Sequence, residues 1–494
     1  MNAINPKVRI RMYRQGLGDC FLVTFYPEGG PVHMLIDCGS LGATTTGVKM
    51  AAVADDIGNE TGDHLHLLVA THEHKDHVSG FRSERERFDE LTVDRVWVAW
   101  TENPKDELAR EVSKYKADLL SSVALAEQAL ARSGVRITDM EQPLAAVRSG
   151  VRELLGFFGD VPTQGAPFAA DFAETVHEAM TYVTGRAGKD VDFLSPGEVI
   201  EPSWLPGVRF YVLGPPRDKT ALRNMGKHGS PELYGATAES IHTAAAGLAF
   251  SASVQAFPDY RASLEGEQRE MFEQRLPFDA RFRIEARDKA RCRERFGSYY
   301  DEKNAWRQID ADWLATTSEL ALQLDSYTNN TSLVLAIELI ADGRVLLFPA
   351  DAQLGNWLSW HDYTWKVKEA DGALREVTAR DLLHRTVFYK VGHHASHNAT
   401  ATESGLELMQ RDDLVAMIPL DRSVAIKKRP PWQMPAKALY RRLLEKTRGR
   451  VLRSDTGWPT AEERPSTISQ AEWDEARQSI DVGVDNLYID FRLR

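Results

Sequence analysis

Thr71-His72-Glu73-His74-Lys75-Asp76-His77 is the stretch on which the reading of this chain turns. It directly follows Leu65–Ala70, a near-continuous apolar run of the kind that forms a buried central strand. Zinc-type cations take neutral imidazoles and carboxylates that converge over short range. On an extended loop His72 and His74, two residues apart, point to the same side. Asp76 and His77 then fall at the turn into the next element, where they can serve a second metal. The spacing therefore predicts a metal site on a loop after a strand, with its side chains in a surface cleft.

Outward from that loop, the texture alternates. Val8–Tyr13, Phe21–Tyr26, Val32–Ile36 and Arg95–Trp100 read as strands, the first three separated by glycine-bearing turns. From Pro104 to about Arg186 the apolar spacing is helical, as in Leu108, Val112, Tyr115 and Leu119. Strand texture returns at Val208–Leu213. A second helical, charge-rich stretch runs from Arg217 to about Leu324 and is most basic over Arg281–Arg295. Ser332–Glu338, Val345–Phe348, Thr386–Val391, Leu414–Ile418, Arg450–Leu452 and Leu487–Phe491 again read as strands. Neither strand set looks self-sufficient, so the expectation is one β-rich core with two helical insertions. The core pieces are 1–101, 193–216 and 326–494, and the insertions 102–192 and 217–325.

The motif His72-x-His74-x-Asp76-His77 resembles the signature of the metallo-β-lactamase superfamily, and Leu35-Ile36-Asp37-Cys38-Gly39 resembles its earlier Asp-bearing strand end. Five further stretches resemble, in order, the nuclease-like domain of bacterial competence DNA-uptake channel proteins. They are Gln15-Gly16-Leu17-Gly18-Asp19-Cys20-Phe21-Leu22, Asn330–Leu335, Leu347–Asp351, Lys390-Val391-Gly392-His393-His394-Ala395-Ser396 and Arg453–Gly457. The resemblance covers about half the chain. It implies an α/β fold, the metallo-β-lactamase αβ/βα sandwich, and one or two Zn2+ or Mn2+ ions per chain. It also implies metal ligands at His72, His74, Asp76, His77, Asp351 and His393 or His394, the first of that pair being preferred. His394 is then the candidate substrate-protonating residue, Asp76 the group that orients the nucleophile, and Lys390 a cation for a phosphoryl oxygen. Ser396, His397 and Asn330 are softer candidates. The superfamily's third histidine on the first metal is missing, because the corresponding strand ends in Gly214. His228 or His242 are the substitutes in reach.

Those features predict a metal-dependent hydrolase, a phosphodiesterase or nuclease using a metal-activated water. Fold alone does not fix the substrate. The alternatives are a small-molecule ester or nucleotide hydrolase lidded by the insertions, and an inert metal-stabilised interaction protein whose insertions dock a partner. Composition bounds the choice. The chain has 494 residues and a net charge of −12, which argues against non-specific coating of nucleic acid. Arg422–Arg453 is the exception, with eleven basic residues and one acidic, Glu445, and is the candidate contact for DNA or a nucleotide. Leu439, Leu443 and Leu444 make the same stretch an amphipathic helix with a charged outer face. Three cysteines, no leader-like apolar run and no membrane-length segment predict a cytoplasmic protein.

Overall fold

The structure is a computed structural model that describes residues 7–42, 44–132, 143–160, 174–188, 190–224, 230–234, 294–295, 297–299, 317–369, 372–428 and 431–493. His228, His242, Cys292, Arg429 and most of the second insertion lie outside the described residues.

Among the described residues, fifteen strands build the two large sheets. In chain order they are β1 (Lys7–Tyr13), β2 (Cys20–Tyr26), β3 (Val32–Cys38), β4 (Leu67–Ala70), β5 (Val96–Ala99), β6 (Val191–Leu194), β7 (Val199–Ile200), β8 (Val208–Gly214), β9 (Val334–Leu339), β10 (Arg344–Phe348), β11 (Thr386–Lys390), β12 (Val415–Ile418), β13 (Val451–Arg453), β14 (Ile480–Val482) and β15 (Tyr488–Leu493). The first sheet has the order β14-β15-β1-β2-β3-β4-β5-β6 and the second β13-β12-β11-β10-β9-β8-β7. Each sheet is mixed. Antiparallel pairs such as β1–β2 and β9–β10 give way to parallel runs, β3–β4–β5–β6 in one and β10–β11–β12–β13 in the other.

Alternation along the strands makes both faces of each sheet apolar. Ile10, Val23, Ile36 and Val69 of the first sheet meet Phe210, Leu335, Leu346 and Phe388 of the second in one buried layer. Outside the first sheet, Leu35 and Leu68 pack under α1 (Met50–Thr61), α2 (Lys75–Ser83) and α5 (Glu174–Gly185) through Val53, Ile57, Phe81 and Met180. The outer face of the second sheet is covered by Trp357, Leu382 and, from α7 (Lys437–Lys446), Leu439 and Leu443. The result is an α/β molecule in which two sheets are packed face to face with helices on both outsides.

The insertions form their own small core. Val123 and Ala126 of α3 (Glu107–Arg132), Val151 and Leu155 of α4 (Pro143–Leu155), and Leu320 and Leu324 of α6 (Thr317–Asn329) cluster with Phe157 and Phe158. Two edges differ from the expected boundaries. β6 begins at Val191, inside the first insertion, because it pairs in parallel with β5. The helix α6 runs straight through the expected break after residue 325. Among the described residues, no helix is long and apolar enough to cross a membrane.

Candidate metal centre

Parallel strands deliver the site. β4 ends at Ala70, and the chain leaves it as an extended loop carrying His72 and His74 before α2 starts at Lys75. Asp76 and His77 therefore sit in the first turn of a helix, where the dipole favours a carboxylate. In the second sheet, β10 and β11 end just before Asp351 and His393. Open α/β sheets collect ligands at such carboxyl ends. The β3 exit closes the floor. A Cβ on Gly39 would lie 2.2 Å from the Asp76 carbonyl carbon, so only glycine lets the two loops touch.

A shell of hydrogen bonds aims the ligands. Asp37, in the left-handed region at φ 56°, accepts from Thr71 N at 2.8 Å and Thr71 Oγ1 at 2.7 Å. Its Oδ2 also lies 2.8 Å from His77 Nδ1, which fixes the tautomer and turns Nε2 toward Asp351 Oδ2 at 3.1 Å. His394 Nδ1 is held by the Pro419 carbonyl, leaving Nε2 at 2.9 Å from Asp76 Oδ2. His72 Nε2 lies 3.2 Å from His74 Nδ1.

Two donor sets result, each with its atoms within 4.8 Å of one another: His72, His77 and Asp351, and Asp76, Asp351 and His394. Asp351 belongs to both, as a bridging carboxylate does. A further set, Asp19, Asp37 and His77, lies behind them. All six of His72, His74, His77, Asp76, Asp351 and His394 are buried, so the expected surface cleft is instead a site inside the molecule. His74 Nε2, Asp76 Oδ1, Asp19 Oδ1 and His393 Nδ1 are buried without a hydrogen bond. Buried polar atoms are seldom left so, because each costs about 1–3 kcal/mol. Orphaned oxygens of Asp76 and Asp19, each in a donor set, suit a divalent cation.

Electrostatics agree with that fit. Burial pushes His74 down to about 3 and His393 to about 4, and it holds His72 well below the usual histidine range. These rings are neutral at pH 7, as metal ligands must be. Burial also opposes charge on His77, but Asp351, Asp19 and Asp37 outweigh it and raise its pKa.

Of the adjacent histidines, the second and not the preferred first joins a donor set. His393, His394 and Ala395 all have positive φ (42°, 52° and 62°), and this left-handed turn carries the second imidazole inward. His394 shares a donor set with Asp76 and Asp351. The His393 ring faces the outer cavity, and its backbone N donates to Asp351 Oδ1 at 2.8 Å. Lys390, expected to meet a phosphoryl oxygen, is committed elsewhere. Its ammonium donates to the Ala350 carbonyl at 2.8 Å, to Asp351 Oδ1 at 3.1 Å and to Asp19. Three donors and three acceptors make it a positioning group. Asn330 is also structural, pinning Leu222 and Asn224 carbonyls through Nδ2. Ser396 and His397 line the cavity wall.

Gly214 has no room for a side chain. Its Cβ would fall 2.1 Å from Asn356 Oδ1, and Asn356 is fixed by Trp360 Nε1, Asn330 and Ser332.

A lid from the insertions was among the expectations, but the residues that form it were not singled out. Phe157 and Phe158, after α4, bracket the His74 ring at 5.4 and 4.7 Å between centroids, and the Phe157 carbonyl accepts from Lys75 N at 2.7 Å. Phe157 stacks on Trp432 at 5.3 Å. Beside them opens a cavity of about 520 Å3 lined by Phe157, Tyr234, Asp325, His393, His397 and Trp432. Asp325 carried a weak signal, an acid one helical turn from buried Ala321 on the same face. Compared with known proteins, the chain matches no family model and no curated protein.

Proposed function

We propose that this chain is a metal-dependent hydrolase of the metallo-β-lactamase superfamily that cleaves phosphodiesters. The observation that carries the reading is the pair of buried donor sets sharing Asp351 at the ends of parallel strands. The two mixed sheets with outer helices are compatible with that superfamily's sandwich. Bound Zn2+ or Mn2+ supplies a water activated at neutral pH and a positive charge against the anionic substrate. The protein's own groups do the rest. Asp37 and the Pro419 carbonyl orient His77 and His394, and Lys390 holds Asp351 and Asp19. Phe157 and Phe158 keep bulk water from His74.

A small diester in the cavity is favoured over a long strand lying along Arg422–Arg453. Cations of that stretch are already paired: Lys428 with Glu153 at 2.6 Å, Arg442 with Glu407 at 2.6 Å, Arg448 with Glu472 at 2.8 Å and Arg453 with Asp455 at 2.7 Å. Paired charges release fewer counterions on binding a phosphate backbone.

The test loads the protein with Zn2+ or Mn2+, measures metal content, and assays bis-p-nitrophenyl phosphate. The expectation is bound metal and turnover, with Asp76→Asn and His394→Ala each losing at least a hundredfold in rate. Metal-loaded protein that leaves the diester intact would overturn the reading.

A further inference from the structure

The insertion helix α6 brings a carboxyl group to the site that none of the sequence motifs contains. Asp325 is only 4% exposed and lines the cavity that also holds His393. Its Oδ2 accepts from Asn329 Nδ2 at 3.2 Å, and its Oδ1 has no hydrogen bond. The immediate neighbours, Asn329 and Gln353, are neutral amides. The titratable groups that face it from other elements are Asp76 on α2, Asp351 after β10 and His394 after β11. The same cavity is also lined by His393, His397 and Lys437. Asp325 also stands outside the clusters of donor atoms that could hold a metal, since it belongs to none of them.

A buried acid with this surrounding has one stable form at neutral pH. Among the described residues no cation forms an ion pair with it, and ionisation is disfavoured by burial first and by the Asp76 and Asp351 carboxylates second. The carboxyl is pushed up to about 8. Cations bound below would offset the charge of Asp76 and Asp351, but the burial on α6 remains. It thus presents a proton to the cavity that it lines.

We propose that Asp325 is the catalytic proton donor to the leaving oxygen, which makes the natural substrate a diester with a poor, alkoxide-type leaving group such as a sugar hydroxyl. This inference rests on the phosphodiesterase reading above. In the step, a water oxygen forms a new bond to phosphorus and its proton passes to solvent. The bond from phosphorus to the leaving oxygen breaks with its electron pair, and that oxygen takes the Asp325 proton. Asp325 is then reprotonated from solvent. One diester and one water give one monoester and one alcohol. An alkoxide leaves poorly without that proton, whereas an aryl oxide such as p-nitrophenolate leaves without help.

The experiment compares two thymidine diesters on the metal-loaded full chain: the p-nitrophenyl ester of thymidine 5′-phosphate and the dinucleotide thymidylyl-(3′→5′)-thymidine. Asp325→Asn keeps the shape and the Asn329 contact but carries no transferable proton. Expected is a loss of about 10²- to 10⁴-fold in kcat on the dinucleotide and less than about tenfold on the aryl ester, with unchanged metal content. In the wild-type chain, dinucleotide hydrolysis should also fall on the alkaline side while aryl-ester hydrolysis stays flat there. That profile needs no variant, so misfolding of Asp325→Asn leaves the proposal open to refutation. Equal losses on both substrates, a loss of metal, or parallel alkaline limbs would overturn the Asp325 assignment alone. A wild-type chain inactive on both substrates would overturn the phosphodiesterase reading, and this inference with it.

Discussion

Gly214 stands where the resemblance leads one to expect a histidine, and its surroundings explain the substitution. Asn356 fills the space, tied by three hydrogen bonds to Trp360, Asn330 and Ser332. Even a methyl group must displace it, since the contact would be 2.1 Å. Gly214→Ala is therefore expected to destabilise the fold by about 1–3 kcal/mol, as overpacking does, measured by urea denaturation. Metal content of the folded fraction should not change, because the glycine contributes no donor. An Ala variant as stable as wild type would show that Asn356 is free to move. At this scale the sequence was most legible where one short motif carries several ligands, as in His72 to His77. It was least legible where a backbone turn chooses between neighbours. His393 and His394 are chemically identical in sequence, and only three consecutive positive φ angles decide which ring turns inward.

The elements tell a similar story about range. Strands with strong alternation or continuous apolar runs, such as β2, β3, β9 and β11, were readable within a residue or two of their ends. β6 and β14 were not. They lie at sheet edges, are short, and bury few side chains, so their sequence hardly differs from a loop. The helices of the first insertion were readable from periodicity, but their docking was not, because it depends on single polar contacts. Glu73, the residue between the two loop histidines, is gripped from both sides. Lys116 of α3 reaches Oε2 at 3.1 Å, and His177 of α5 reaches Oε1 at 3.3 Å. Glu73 stays ionised because Lys116 and His177 outweigh its burial, which lowers it to about 2. Lys116→Met should leave that carboxylate short of its main partner and cost about 2 kcal/mol, since the pair is partly exposed. A double-mutant cycle with Glu73→Gln isolates the pair. A coupling energy near zero would mean that packing alone docks α3.

Across the whole molecule, charge is distributed with a purpose that the net value conceals. Asp19, Asp37, Asp76 and Asp351 are all buried in overlapping donor sets, and the buried Lys390 pairs with two of them, Asp19 and Asp351. Removing cations from such a centre leaves like charges facing each other in a low dielectric. Chelation is therefore expected to lower Tm, and added Zn2+ or Mn2+ to restore it. At a thousandfold excess over Kd the gain is about 4 kcal/mol. A melting curve indifferent to chelator and metal would count against resident cations. Metal analysis should find two sites of unequal affinity, because the His72, His77 and Asp351 set has two imidazoles and the Asp76, Asp351 and His394 set has only one.

The pairing of β1 with β15 carries a different kind of consequence. Val8 is in register with Leu493, and the buried Arg11 guanidinium grips Asp490 at 2.8 and 3.0 Å across 479 residues of chain. Contacts so distant in sequence form late, because the loop they close is long. Until β15 arrives, β1 presents an unpaired edge of backbone donors and acceptors, a template for a strand from another copy. The vulnerable interval of this protein's life is thus its own assembly, when aggregation competes with the arrival of one remote strand.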